Sequence, residues 1–278
     1  MCRLKSGLIL KNRVFVPEYD SHTDMLEELG IEDNYLNANK TFVRVELSPP
    51  NGDVFSDIDT WELNVDQDIT PKWYDEDTYK PQVVEAVKAW AKDHIHIDVD
   101  DLKISTGRNH YIKNCKAVNI YGSATVKYIC GSATVEYIYG SATVKYICGS
   151  ATVKYICGSA TVENIYGSAT VENICDSATV ENICGNATVK YICGSATVKY
   201  ICGSATVKYI YDNATVENIC NSATVEYAKG LSAIIGSPYG WDKKDTLILS
   251  ENATFKDCQS KTIYQSGNWK LVSVTEEK

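Results

Sequence analysis

Residues 122–229 consist of twelve tandem copies of one nonapeptide, Gly-Ser-Ala-Thr-Val-[Lys/Glu]-[Tyr/Asn]-Ile-[Cys/Tyr]. The copies begin at Gly122, Gly131, Gly140, Gly149, Gly158, Gly167, Asp176, Gly185, Gly194, Gly203, Asp212 and Asn221. Ala, Thr and Val at the third, fourth and fifth positions never change. Nine residues hold too few apolar groups to close a core of their own. Units this short must stack on their neighbours, and the segment is expected to form a parallel β-solenoid.

Strand alternation turns Ala and Val to one face and Ser, Thr and Lys/Glu to the other. Unbroken alternation would then turn Ile outward, yet the eighth position is Ile in eleven of twelve copies. The seventh position exchanges Tyr for Asn freely. A bend or bulge between Val and Ile is therefore expected to reset the register. Gly-Ser, Asp-Ser or Asp-Asn makes the second corner. Charge arbitrates the number of copies per coil, because like charges on neighbouring strands repel. At the sixth position, opposite signs meet in 5 of 11 pairs at a spacing of 9, 7 of 10 at 18 and 7 of 9 at 27. One copy per coil is disfavoured. Spacings of 18 and 27 are not separated by this test, and 18 is preferred because two inward faces of Ala, Val and Ile fill a flat core. Every Lys at the sixth position precedes Tyr, and every Asn at the seventh follows Glu. One Val and one Ile per copy make a thin core, so the Cys/Tyr column is expected to be buried or mutually stacked.

The flanks divide the chain into an N-terminal α+β domain (1–110), the solenoid (111–229) and a C-terminal capping segment (230–278). Residues 8–16, 41–47 and 60–66 read as strands. Pro49-Pro50-Asn51-Gly52 reads as a loop. Ser21 and Asp24 resemble a capping box that opens a short helix, with Gly30 as its stop. Residues 80–93 read as a helix with Pro81 in its first turn. Residues 113–121 are a decayed copy, with Cys115 at the Ala place, Ala117 at the Val place and Ile120 at the Ile place. Beyond the repeats, Trp241, Trp269, a Gly267-Asn268 turn signal and an echo at Asn252-Ala253-Thr254-Phe255 suit a cap. A bare solenoid end would leave an open strand edge.

The net charge of −9 sits in the first domain. Residues 1–112 carry 12 Lys/Arg against 22 Asp/Glu, whereas the repeats carry 7 against 8. A near-neutral repeat face lacks the clustered cations that nucleic-acid binding requires. No run of about 20 apolar residues is present to span a bilayer, and no signal peptide is recognisable. Eight of the eleven cysteines occupy the ninth repeat position, where Tyr139, Tyr166 and Tyr211 replace them. A disulfide framework does not tolerate that exchange, so reduced thiols and a cytoplasmic location are expected. The Asn-Ala-Thr sequons at Asn186, Asn213 and Asn252 follow from the repeat chemistry.

Three constellations invite chemistry. Removal of Met1 leaves Cys2 as an N-terminal nucleophile whose own amine is a base. His22 is a candidate partner and Asp24 a candidate orienting carboxylate. Together they define a Cys-dependent hydrolase or transferase, ordered or oligomerised by the solenoid. The plainer reading is a small buried Cys beside an ordinary surface His. His94, His96 and Asp98 fall on one face if they share a strand, where they form a candidate metal-ligand set. The plainer reading is a polar strand edge. The outward Ser and Thr rows resemble the hydroxyl arrays of ice-binding solenoids, although Lys/Glu stands beside them and Thr is also favoured in any strand. The Cys column lacks the tight C-x-x-C spacing of thiolate metal sites. No phosphate loop, dinucleotide fingerprint, zinc-protease motif or nucleophile elbow occurs, and no cofactor is expected.

The opening MCRLKSGLILKNRVFVPEYDSHTDMLEELGIED and the later WELNVDQDITPKWY resemble a group of proteins of uncharacterised function from gut-type bacteria and their phages, over about residues 1–100. Some members carry similar short repeats behind that domain. The resemblance implies a bacterial, intracellular, accessory role and brings no activity with it. The nonapeptide is also similar to hexapeptide solenoid repeats in its small-x-aliphatic core, but its period differs and acyltransferase chemistry does not carry over. The expected function is a structural or interaction scaffold, with a protein partner or self-association and without nucleic acid or membrane.

Overall fold

A computed structural model of the chain describes residues 4–266 and 272–273. Two compact units result, Met1–His96 and Ile97–Lys278.

The first unit is built on an antiparallel sheet. Its strands are β1 (Lys5–Leu10), β2 (Arg13–Phe15), β3 (Phe42–Ser48) and β4 (Glu62–Val65), in the order β2-β1-β3-β4. The single strand expected over 8–16 is a hairpin, because Lys11 and Asn12 turn the chain back. Helix α1 (His22–Glu28) opens as expected, with Ser21 Oγ accepting the Asp24 N–H at 3.3 Å. Gly30 at φ +64° closes it, and the Ile31 N–H reaches back to Leu26 O at 2.9 Å. A short α2 (Tyr35–Ala38) follows. Helix α3 (Glu76–His94) starts four residues before the expected point. Asp75 caps it by accepting the Thr78 N–H at 3.0 Å, and Glu76 and Asp77 favour the positive end of its dipole. Pro81 consequently stands in the second turn.

Both faces of this sheet are covered. Strand pairing aligns Lys5, Gly7, Ile9, Val43, Val45 and Leu47 on one face. The Lys5 ammonium lies 5.1 Å from the centre of the Trp90 ring, which places that face against α3. Phe42 and Leu8, on the other face, pack with Met25 and Leu26 of α1. Glu46 shares this second face and is thereby drawn under cover.

The second unit is the parallel β-solenoid. Successive nonapeptides alternate between two sheets, so strand partners lie 18 residues apart: Val144 pairs with Val126 and Val162, and Val153 with Val135 and Val171. The Ala, Val and Ile residues of the copies, with Ala228 in place of the last Ile, are wholly buried and form one continuous core. The expected bend falls at the sixth position. Ladder partners occur at Thr143, Val144, Tyr146 and Ile147 against Thr161, Val162, Asn164 and Ile165, and Lys145 is left out. That omission lets Val and Ile, three residues apart, both point inward.

The corner is a four-residue turn. Cys148 O accepts the Ala151 N–H at 3.3 Å, around Gly149 at φ +67°. The ladder continues through it, with the Ser150 N–H on Gly131 O at 2.9 Å. A Cβ on Gly149 would lie 3.0 Å from Gly131 N. Where Asp176 replaces Gly, at φ 56°, its Oδ2 accepts the Gly158 N–H of the preceding coil at 3.0 Å. Asp212 and Gly194 repeat the arrangement at 3.0 Å. A short acceptor thus offsets the left-handed backbone.

The solenoid takes in strands ahead of residue 111, since Lys103–Ile104 and His110–Lys113 are rungs of its two sheets. Cys115 takes the Ala place, as its carbonyl accepts the Thr134 N–H at 2.8 Å. The Val place belongs to Val118 and not to Ala117, because Val118 pairs with Val135. Ala117, at φ 51°, stands between the Ala and Val places, and the ladder's register shifts just after Val118, where Glu136 has no counterpart. At the other end, Ala233–Trp241 and Thr254–Asp257 continue one sheet, and Thr262–Gln265 turns antiparallel. Ala253 and Phe255 of the late echo are buried, and Trp241 packs edge-on to Phe255 at 5.4 Å. Gly267, Asn268 and Trp269 lie outside the described residues.

Two substitutions test this packing. Ile165→Ala, at a fully buried site, is expected to cost about 2–5 kcal/mol in urea unfolding. Asp176→Ala keeps the left-handed strain without the acceptor and should cost about 1 kcal/mol, whereas Asp176→Gly should be close to neutral.

Candidate functional site

Cys2 lies outside the described residues. His22 occupies the first turn of α1, beside the middle of β3 and the end of β4, and both ring nitrogens are engaged. Nε2 is 3.1 Å from Val45 O, and Nδ1 is 3.2 Å from Asp66 Oδ2. Asp24 does not orient the ring; it is exposed, and its backbone N–H serves the helix cap. Asp66 directly follows β4 and is held in register by its N–H on Arg44 O at 2.9 Å. Glu46 completes the group: one ligand atom from each of His22, Glu46 and Asp66 lies within 4.8 Å of the other two. Glu46 is only 7 % exposed. Strand alternation alone puts Glu46 on a polar face. The available signal was the apolar pair Met25 and Leu26 in a capped helix, which requires some face to cover.

His94 ends α3 and does not enter a strand, so the alternation that would align it with His96 and Asp98 is absent. Its ring stacks on Trp90 at 4.7 Å, and Nδ1 lies 2.8 Å from Trp90 O. His96 follows in the short strand Ile95–Ile97, and Asp98 takes a left-handed φ of 55° beyond it.

On the solenoid, each outward position becomes a column of like residues. At the sixth position, Lys154 pairs with Glu136 at 2.6 Å and Lys199 with Glu181 at 2.7 Å. Such solvent-screened pairs add little to stability and chiefly relieve like-charge stacking. The seventh position forms aromatic stacks, with Tyr128 on Tyr146 at 4.9 Å and Tyr137 on Tyr155 at 5.1 Å. Where Asn replaces Tyr, the amides bond along the column, as Asn182 Nδ2 donates to Asn164 Oδ1 at 3.2 Å. Three of the six Lys–Tyr pairs are in direct contact. The ammonium groups of Lys145, Lys190 and Lys208 lie 5.5, 4.9 and 5.5 Å from the ring centres of Tyr146, Tyr191 and Tyr209, the residues that follow them. The Thr column runs beside these protruding groups.

The ninth position forms half-buried thiol columns. Residues 18 apart in sequence become neighbours, so Cys157, Cys175 and Asp176 bring ligand atoms within 4.8 Å of one another. Sequence spacing concealed this proximity. Burial pushes the Cys175 thiol up to about 12, and the Asp176 carboxylate adds to the shift. Cys148 moves the other way. A hydrogen bond from Cys130 pulls its thiol down to about 6 against the opposing effect of burial, with a further bond from Tyr166.

No protein-family model, curated protein or solved structure matches the chain. Among the described residues, no helix is long and apolar enough to cross a membrane.

The thiol environments predict a selective reactivity. At pH 7 the lowered pKa of Cys148, about 6, favours its thiolate, whereas burial favours the protonated form of Cys175, at about 12. One thiol should therefore react several-fold faster with iodoacetamide than an ordinary cysteine, with the advantage lost as pH falls through 6. Cys148→Ser should abolish this fast phase, and Tyr166→Phe should slow it.

Proposed function

We propose that the protein is a structural and interaction scaffold, in which a rigid β-solenoid carries an acidic, protein-binding N-terminal domain. The observation that supports this reading is the uninterrupted 18-residue register, with one sealed aliphatic core and near-identical outer columns from coil to coil. Such a body supplies stiffness and repeated presentation. The excess of carboxylates in residues 1–112 suits a basic protein face, with association favoured by long-range charge. The resemblance of the opening segment supports a bacterial or phage origin. Thiol columns that oxidation would cross-link suit the cytoplasm.

Modularity is the testable consequence. Deleting residues 149–166, one full coil, leaves every downstream strand on its original sheet. The shortened chain should remain folded by circular dichroism, and small-angle scattering should register a solenoid shorter by about 4.8 Å. It should also capture the same protein partner as the full chain. Loss of folding on this deletion would count against the scaffold.

A further inference from the structure

We infer that His22, Glu46 and Asp66 bind a first-row divalent cation. Three independent observations converge on this site. The first is the ligand set, an imidazole nitrogen and two carboxylates with their ligand atoms within 4.8 Å of one another. Ligands around one ion at about 2.1 Å stand roughly 3 Å apart. The 3.2 Å between His22 Nδ1 and Asp66 Oδ2 is already that spacing.

The second is the hydrogen bond from His22 Nε2–H to Val45 O at 3.1 Å. Metal-bound histidines are oriented by donating their other ring N–H to a carbonyl or carboxylate, which leaves the first nitrogen free to ligate. Here that bond aims Nδ1 at the two carboxylates.

The third is Glu46 itself. Its side chain is more than nine-tenths buried on the face covered by α1, and it makes no hydrogen bond or ion pair with any described residue. Ser6 pairs directly with Glu46 across β1 and β3, and Ser6 Oγ is also buried without a partner. A carboxylate covered by α1, set beside a second carboxylate and an orphaned hydroxyl, favours a compensating positive charge at that place. A cation supplies it directly. The Asp66 side chain is 58 % exposed, so the site opens to solvent on one side and leaves coordination positions for water or a substrate oxygen.

Oxygen and imidazole ligands suit Mn²⁺, which has little affinity for thiols, so Mn²⁺ separates this site from the cysteine columns. The full chain, stripped with EDTA, is titrated with Mn²⁺ while the electron paramagnetic resonance of the free ion is followed. One Mn²⁺ per chain should be taken up, equally by wild type and by the Cys157→Ser/Cys175→Ser double variant. Glu46→Gln should weaken binding at least tenfold. Asp66→Asn alters an exposed side chain and should do the same with the fold intact, which secures the test should Glu46→Gln unfold. No uptake at millimolar Mn²⁺, or uptake by the folded carboxylate variants equal to that of wild type, overturns the assignment.

Discussion

The parallel ladder between residues 18 apart governs this molecule. Once Val144 must lie beside Val126 and Val162, every other position lies beside its own equivalent. A sequence that repeats in tandem thus becomes a set of columns. The core benefits because Ala, Val and Ile form one dry spine. The outer surface has a harder problem, because identical charges stack as readily as identical apolar groups. Alternation of Lys with Glu answers it in part, and Lys over the following Tyr ring answers it further. Behind the Glu residues, Asn instead bonds along its own column, as Asn182 does with Asn164.

Most of the solenoid was legible from the sequence, and for definable reasons. Invariant Ala and Val established the inward face, and the nearly invariant Ile required the register reset that the structure places at the sixth position. Charge pairing narrowed the coil to 18 or 27 residues, and core filling chose 18. In the decayed copy the Ala and Ile places were read as the structure has them and the Val place one residue early, because Ala117 and Val118 both suit an inward place. Only the left-handed backbone at Ala117, at φ 51°, decides between them, and composition does not reveal it.

The N-terminal domain was harder to read because its informative contacts are non-local. Residues 8–16 carry no glycine or proline at the turn, so the hairpin through Lys11 and Asn12 resembled one strand. Asp24 looked like the partner of His22 because it is two residues away, yet a helix sends such neighbours apart. Asp66 reaches the ring only through the pairing of β3 with β4. Glu46 was hidden for a related reason. A lone acidic residue in an alternating strand ordinarily faces water, and only the docking of Met25 and Leu26 beside Phe42 encloses it.

The near-identity of the copies also bears on how the chain finds its fold. A nascent strand from the middle of the array meets several equally good mates, and pairing with the wrong one leaves most local interactions satisfied. The irregular rungs limit that ambiguity, because the register shift opposite Val135 and the bond from Trp241 Nε1 to Ala223 O are not part of the repeat. Assembly is then most accurate when it zips from an end, each new turn templated on the one just laid down, with mispaired chains trapped as the principal folding error.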